Sequence, residues 1–412
     1  MGVELPFLSA VVARLPHAEI QLAAYGGIVF PLALIIESPI IMLLAASTAL
    51  SRDLASYVKL RRFMHSAGFF LTLVHAAVAF TPLYDFVARS ILGVPADIIE
   101  PGRLGLRIMT PWTWSIAYRR FHQGVLIRFG RSRAVGLGSL VRLSANAAVL
   151  TAGYLLHDVP GIIVAAATVT AGVVSEAVYV GIRVRPVLKG PLLAAAAEDV
   201  LTRQAFTRFY LPLAVTSLLD LLMQPIGAAA LSRMPRALDS LAAWPALAGL
   251  VFMSESFGIA FNEVMVALLG EPGSLRPLRR FAVGLMLVTT GVLALVVATP
   301  LAPFWFGRIG GLAPTLASLA RMGLWFALPM PALAALCSYF QGAILHGRET
   351  RAIPESLAVF LGTAGILCVV GVWWGGAPGI YVGTAALTTG SATRALWLWA
   401  RSRSLRRALA VG

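Results

Sequence analysis

Residues 160–185, PGIIVAAATVTAGVVSEAVYVGIRVR, lie without a gap on residues 378–403, PGIYVGTAALTTGSATRALWLWARSR. The offset is 218, and ten of the twenty-six positions are identical, from the opening Pro-Gly to the two closing arginines. A match of that length within one chain is an internal duplication. Three shorter matches keep the same order. RLGLRIMTPW (103–112) lies on RMGLWFALPM (321–330), and FHQGVLIRFGRSRAV (121–135) on YFQGAILHGRETRAI (339–353) with one gap. RLPHAEIQLAAY (14–25) lies on RMPRALDSLAAW (233–244) at an offset of 219.

The duplicated unit is apolar. Of the 412 residues 58% are hydrophobic and only 12% charged, which leaves too little polar surface for a soluble protein of this length. Windows long enough to cross a bilayer recur almost end to end. Eleven are complete, at 20–48, 63–90, 104–127, 134–156, 160–182, 207–231, 241–268, 281–301, 314–345, 353–374 and 379–400. A short apolar piece covers 2–13. Six spans separate repeat partners, so both copies enter the membrane from the same side, related by an axis along the membrane normal.

The repeat also bears on the start. The second copy's first helix begins near Phe206, which maps ahead of Met1, while Pro6 maps to Pro225 and Pro16 to Pro235. Residues 1–13 therefore read as the outer half of a helix. Roughly fifteen residues are expected ahead of Met1, itself then an internal methionine of a longer chain. The expected organisation is an N-terminal lobe over 1–185, a cytoplasmic linker over 186–204 and a C-terminal lobe over 205–412.

A net charge of +15 raises the question of a nucleic-acid partner, and the distribution answers it. If the span at 20–48 runs inward, one side holds twenty-one of the thirty-three basic residues. These include Arg52, Arg61, Arg62, Arg128, Arg131, Arg133, Arg276, Arg279, Arg280, Arg348, Arg351, Arg406 and Arg407. The other side holds six, Arg14, Arg89, Arg103, Arg233, Arg236 and Arg308. This asymmetry is the positive-inside rule, and it predicts a multi-pass protein of the cytoplasmic membrane with a cytoplasmic C-terminus. The basic surplus then serves topology and anionic headgroups, and no nucleic-acid partner is expected.

Cys337 and Cys368 lie in apolar runs with no metal or disulfide spacing, and no phosphate loop or zinc motif is present. The expectation is no catalytic residue, no metal and no cofactor. An enzyme would need a nucleophile beside a base, or a metal cluster, at one membrane face, and the loops carry only arginines and scattered acids.

Twelve helices in two parallel-repeated six-helix bundles, joined by a polar loop at 183–206, resemble the multidrug/oligosaccharidyl-lipid/polysaccharide exporter superfamily. LAAYGGIVFPLALIIESPIIMLLAASTALSRD (22–53), HAAVAFTPLYDFV (75–87) and FHQGVLIRFGRSRAV (121–135) look most like the progressive ankylosis protein branch. The resemblance implies an all-α, V-shaped transporter whose central cavity opens alternately to either side, driven by inward H⁺ or Na⁺, working as a monomer on a small-molecule substrate. A flippase for a lipid-linked sugar or similar amphiphile is the alternative.

A charge at mid-bilayer costs at least ~2.5–3.5 kcal/mol on insertion scales, so each needs a partner, water or a function. The acids that stand out are Glu37, Asp220, Glu255 and Glu263. Glu37-Ser38 and Glu255-Ser256 are repeat equivalents, so the duplication kept one carboxylate in both halves. These four are the cation-coupling candidates. In the multidrug branch an acid on helix seven helps bind the cation, and Asp220 stands on the matching helix. The branch's second acid, on helix ten, has no counterpart here; Arg321 is the charge that helix carries, which favours protons over sodium.

Arg119 and Arg120 map to Cys337 and Ser338 and so belong to the first copy alone. Consecutive helical residues diverge by about 100°, so one is expected to line a cavity and the other to pair or reach the interface. With Arg142 they could grip phosphate or carboxylate groups of an anionic substrate, though structural pairing or headgroup contact is the commoner use of such arginines. Gln123, echoed as Gln341, completes the substrate-binding candidates. Glu176 and Arg394 are repeat equivalents of opposite sign, a swap the sequence does not explain. His65, His75 and His122 could relay protons, though a lone helix histidine is more often a packing residue.

Overall fold

The computed structural model describes residues 4–195, 201–271, 273–346 and 351–403. Arg348, Arg406 and Arg407, counted above among the inner basic residues, lie outside the described residues. Every regular element among them is helical. Twelve helices are α1 (Glu4–Val12), α2 (Ala18–Leu50), α3 (Leu54–Phe80), α4 (Ile99–Ile108 and Thr110–Arg128), α5 (Ser132–Leu156) and α6 (Gly161–Lys189), then α7 (Arg203–Ser232), α8 (Ala237–Leu268), α9 (Leu275–Ala298), α10 (Pro314–Ala327 and Met330–His346), α11 (Ala352–Trp374) and α12 (Gly379–Arg401).

Among the described residues nine of these are long and apolar enough to cross a membrane. The spans expected at 104–127 and 379–400 are the helices α4 and α12, which carry more polar side chains. The piece at 2–13 is the short helix α1, and α3 stops at Phe80 rather than continuing to 90. The protein is thus an all-α, multi-pass membrane protein.

The duplication is written into the backbone. His17 opens α2 in the left-handed conformation (φ 53°) and Arg236 opens α8 the same way (φ 56°). Pro160 leads α6 at ψ 133° and Pro378 leads α12 at ψ 139°. Helix α3 ends on Thr81 and α9 on Thr299, each in extended conformation. Each threonine hydroxyl donates back to the carbonyl four residues earlier and accepts the amide two residues on. Each is followed by a π-helical turn, Phe86–Leu92 or Phe304–Ile309, and then a positive-φ glycine, Gly93 or Gly311. The left-handed residues recur at the offset of 219 found for that stretch, and the threonine, glycine and proline features at 218, as a duplication requires.

The Gln-Gly pairs acquire a reason here. A Cβ at Gly124 would collide with Ser47 Oγ and the backbone of Leu44 and Thr48, so glycine lets α4 lie directly on α2. Gly342 brings α10 against Met265 of α8 in the same way.

The copies also differ in α2 and α8. Helix α8 is continuous over thirty-two residues. Helix α2 contains a π-helical turn at Tyr25–Val29, carries Pro39, and breaks at Met42. Proline has no N–H for the carbonyl four residues back, and the Ser38 hydroxyl donates to that carbonyl, Ile35 O, at 2.8 Å.

The chain divides into two compact units. One is Leu15–Pro225; the other is Ile226 onward together with the N-terminal segment through Arg14. These seams differ from the boundaries at 185 and 205 drawn from the sequence, for a local reason at each. In the first unit the start of α7 is held on α2 and α3. Phe206 and Tyr210 pack edge-on against Phe63, and the Tyr210 hydroxyl donates to Pro39 O. In the second unit α1 lies on α8, with Pro6 against Gly249.

Candidate functional site

The first unit buries an ionic cluster centred on Glu176 of α6, which is fully enclosed. Arg119 Nη1 of α4 donates to Glu176 Oε2 at 2.5 Å, and Gln123 Nε2 donates to Oε1 at 2.8 Å. Arg142 Nε of α5 lies 3.5 Å from Oε2. Arg119 and Gln123 are one helical turn apart and share the face of α4 that meets α6. Small residues make the room. A Cβ at Gly172 of α6 would collide with Asn146 and crowd Arg142, and one at Gly138 of α5 would touch the Glu176 stem.

Arg120 points away from this face, as consecutive helical residues must. It is half-buried and lies in the fields of Glu37, Glu176, Arg119 and Arg142. Glu37 of α2 is 4% exposed, and the charges nearest in effect are Arg120 and then Arg119. The cluster therefore assembles Arg119, Arg120 and Arg142 with Glu37 and Glu176. Three arginines and two carboxylates thus share the interior of this unit.

The second unit builds a smaller version. Glu255 of α8, the repeat partner of Glu37, is half-buried in the field of Arg394 on α12. Arg394 stands where the first copy has Glu176, and Cys337 stands where it has Arg119. The thiol of Cys337 is buried beside both charged groups. Here one carboxylate faces one arginine.

Asp220 is exposed on α7, and Glu263 is exposed on α8, about two turns beyond Glu255. Gln341 is half-buried on α10. His75 is closed into the packing, with Thr113 Oγ1 and Leu106 O each 2.9 Å from a ring nitrogen. His122 contacts Tyr118 O at 2.9 Å, while His65 is exposed and stacked on Trp114. Arg128, read as a topological charge, also donates to Thr48 O and Ala49 O, where it satisfies carbonyls at the end of α2. Among the described residues no three His, Cys, Asp or Glu side chains are grouped to hold a metal ion.

Glu176 is the residue that sequence reasoning left without a role. Its signal was present as an acid inside a membrane span whose repeat partner is an arginine. What the sequence lacked was Arg119 and Arg142 beside it, 57 and 34 residues away along the chain.

Two duplicated six-helix sets, each carrying buried charge, define the class as a polytopic membrane protein built by tandem duplication. No protein-family model and no curated protein matches the sequence. Solved structures do share its fold. A multidrug resistance MATE family transporter of the MOP superfamily, in an inward-facing conformation, matches with a TM-score of 0.71 at 16% identity, over 99% of this chain and 96% of its own. The lipid II flippase MurJ, in an inward closed conformation, matches at 0.71 and 12% identity, over 97% of this chain and 85% of its own. A MOP superfamily transporter from Pyrococcus furiosus, described as having a binding pocket of reverse polarity, matches at 0.58 and 16% identity, over 98% and 95%. The fold is that of the MATE transporters and MurJ, in agreement with the superfamily resemblance read from the sequence.

Proposed function

We propose that the protein is a secondary active transporter that exports small organic anions by alternating access, coupled to H⁺ entry or, as a second choice, Na⁺ entry. The observation that carries this reading is the arginine-rich cluster of the first unit. Charged side chains inside a membrane protein are costly, and such residues mark a pairing or a function. Arg119 is committed to Glu176, so Arg120, half-buried and turned away from that pair, is the group placed to meet a carboxylate or phosphate. Glu37 and Glu255, kept through the duplication, are the carboxylates on which coupling would act, with Asp220 on α7 as the further candidate and Glu263 the weakest.

The reading sets the protein in the cytoplasmic membrane as a monomer, with its C-terminus inside and transport rather than catalysis as its activity. It is supported by the fold shared with multidrug transporters and by the basic asymmetry of the loops. A lipid-linked precursor is the alternative substrate, favoured by the match to MurJ and by arginines suited to a pyrophosphate.

Efflux from proteoliposomes under an imposed pH or sodium gradient tests it, with wild type beside Arg120→Gln, Glu37→Gln, Glu255→Gln and Asp220→Asn. Loss of anion efflux in Arg120→Gln, with the fold retained, is the expected result. Gradient-driven flux unchanged in all four variants overturns the site. Lipid-precursor translocation without any solute flux selects the flippase.

A further inference from the structure

Helix α2 is broken just past Glu37. Pro39 follows that carboxylate by two residues, and the helix is interrupted at Met42 before it resumes at Leu43. Among the described residues no backbone amide donates to the Pro39 carbonyl, which a regular helix would pair with Leu43 N. The Tyr210 hydroxyl of α7 donates to it instead. A carbonyl freed by a helix break at membrane depth needs such a partner.

The phenol is held in place independently of that bond. Tyr210 is buried, its ring stacked on Phe206 at 5.2 Å and set edge-on to Phe63 of α3 at 5.0 Å. Neither ring contact involves the hydroxyl, so both survive its removal.

The far part of α2 is fixed separately. It lies on α4 at Gly124, where Ser47, Leu44 and Thr48 leave no room for a Cβ, and Thr48 Oγ1 donates to Gly124 O at 3.3 Å. Arg128 of α4 donates to Thr48 O and Ala49 O. Glu37 stands on the near side of the break, and the cations that act on it, Arg120 and Arg119, stand on that same α4. With the far part of α2 pinned to α4, the angle at residues 39–42 sets where Glu37 sits relative to the two arginines. Tyr210 holds that angle.

The second copy shows the contrast. Ser256 Oγ donates to Met253 O at 2.7 Å, as Ser38 Oγ does to Ile35 O, but Phe257 stands in place of Pro39 and α8 runs unbroken. Its glutamate, Glu255, is half-buried where Glu37 is buried. Break, freed carbonyl and phenol thus occur together beside the more deeply enclosed of the two repeated glutamates.

We infer that Tyr210 is a positioning residue for Glu37: its bond to Pro39 O fixes the break in α2 and so holds the carboxylate against Arg119 and Arg120. The same bond joins the helix that carries Glu37 to the helix that carries Asp220, ten residues further along α7. The functional weight of this placement rests on the reading of Glu37 as a coupling carboxylate.

Chemical labelling of the full chain in lipid nanodiscs tests the inference. Dicyclohexylcarbodiimide converts an accessible protonated carboxyl to an N-acylurea, which peptide mass spectrometry reads residue by residue. Wild type is compared with Tyr210→Phe, Pro39→Ala and the double variant. One hydrogen bond has a modest net worth, so Tyr210→Phe is expected to raise the Glu37 labelling rate by about two- to tenfold. Glu255, in the other unit, is the internal standard and stays unchanged. Alanine at 39 lets α2 run on as α8 does and pairs the carbonyl with Leu43 N. In that background Tyr210→Phe is expected to have no effect, whereas a phenol that merely packs would act alike in both. Unchanged Glu37 labelling in Tyr210→Phe, an equal rise at Glu255, or an effect that persists with Pro39→Ala overturns the inference. Gradient-driven flux in proteoliposomes separates it from the function it rests on. If Glu37→Gln leaves coupled flux intact while Tyr210→Phe still shifts Glu37 labelling, the coupling role falls and the placement stands. Loss of coupling in Glu37→Gln, with labelling unmoved by Tyr210→Phe, keeps the coupling role and removes Tyr210 from it.

Discussion

The two halves solve one electrostatic problem in opposite ways. Each keeps a glutamate at the same place on its second helix, Glu37 or Glu255. In the first half the last helix brings a second carboxylate, Glu176, and the fourth helix supplies Arg119 to neutralise it. In the second half the fourth helix offers Cys337, which carries no charge to pair. A glutamate at 394 would then stand near Glu255 with no cation between them. Arginine at that position makes a pair with Glu255 instead. The sign inversion between Glu176 and Arg394 is therefore compensation within each bundle. Buried charges must be balanced locally, because the field of a distant partner does not offset desolvation.

Removing the hub is the hardest test of this comparison. Glu176→Gln leaves Arg119 and Arg142 buried without their carboxylate, and a loss of about 3–5 kcal/mol is expected for breaking such a pair. Thermal unfolding in detergent should show it, and a melting temperature within a degree or so of wild type would undo the local-balance account. Glu255→Gln should cost clearly less, since Glu255 is only half-buried.

Converting the first half to the second sharpens the comparison. Glu176→Arg alone places a third cation beside Arg119 and Arg142. Adding Arg119→Cys should recover part of the loss, with a coupling of about 1–3 kcal/mol in a double-mutant cycle. Strict additivity would mean that the two positions do not compensate each other.

A smaller effect separates the two Gln-Gly contacts. Gly124→Ala drives a methyl into the backbone of Leu44 and Thr48, which cannot rotate away, and should cost about 1–3 kcal/mol. Gly342→Ala meets only the Met265 side chain, which can shift, so its melting temperature should fall less. The reverse order would show that α10 and α8 are the more tightly specified pair.

Much of the molecule is legible in its sequence, and particular residues show why. The strained His17 and Arg236, the Thr81 and Thr299 hydroxyls and the Pro160 and Pro378 helix starts are local devices, each set by a few neighbouring residues. The repeat made them readable twice. Arg119 was readable as a charge peculiar to one half, but its partner was not. Glu176 lies 57 residues further along, and the pairing depends on how α4, α5 and α6 rotate against one another. Glycines 138 and 172 set how α5 meets α6 through contacts no periodicity records.

The division follows from the physics of the bilayer. Hydropathy, proline and the arginine asymmetry act along the chain, so the sequence alone determined the number of helices, their repeated order and the expected side of each loop. Electrostatics and packing act through space. Only the tertiary structure decided that Arg119, Gln123 and Arg142 converge on one buried carboxylate, and that α7 begins on the first unit.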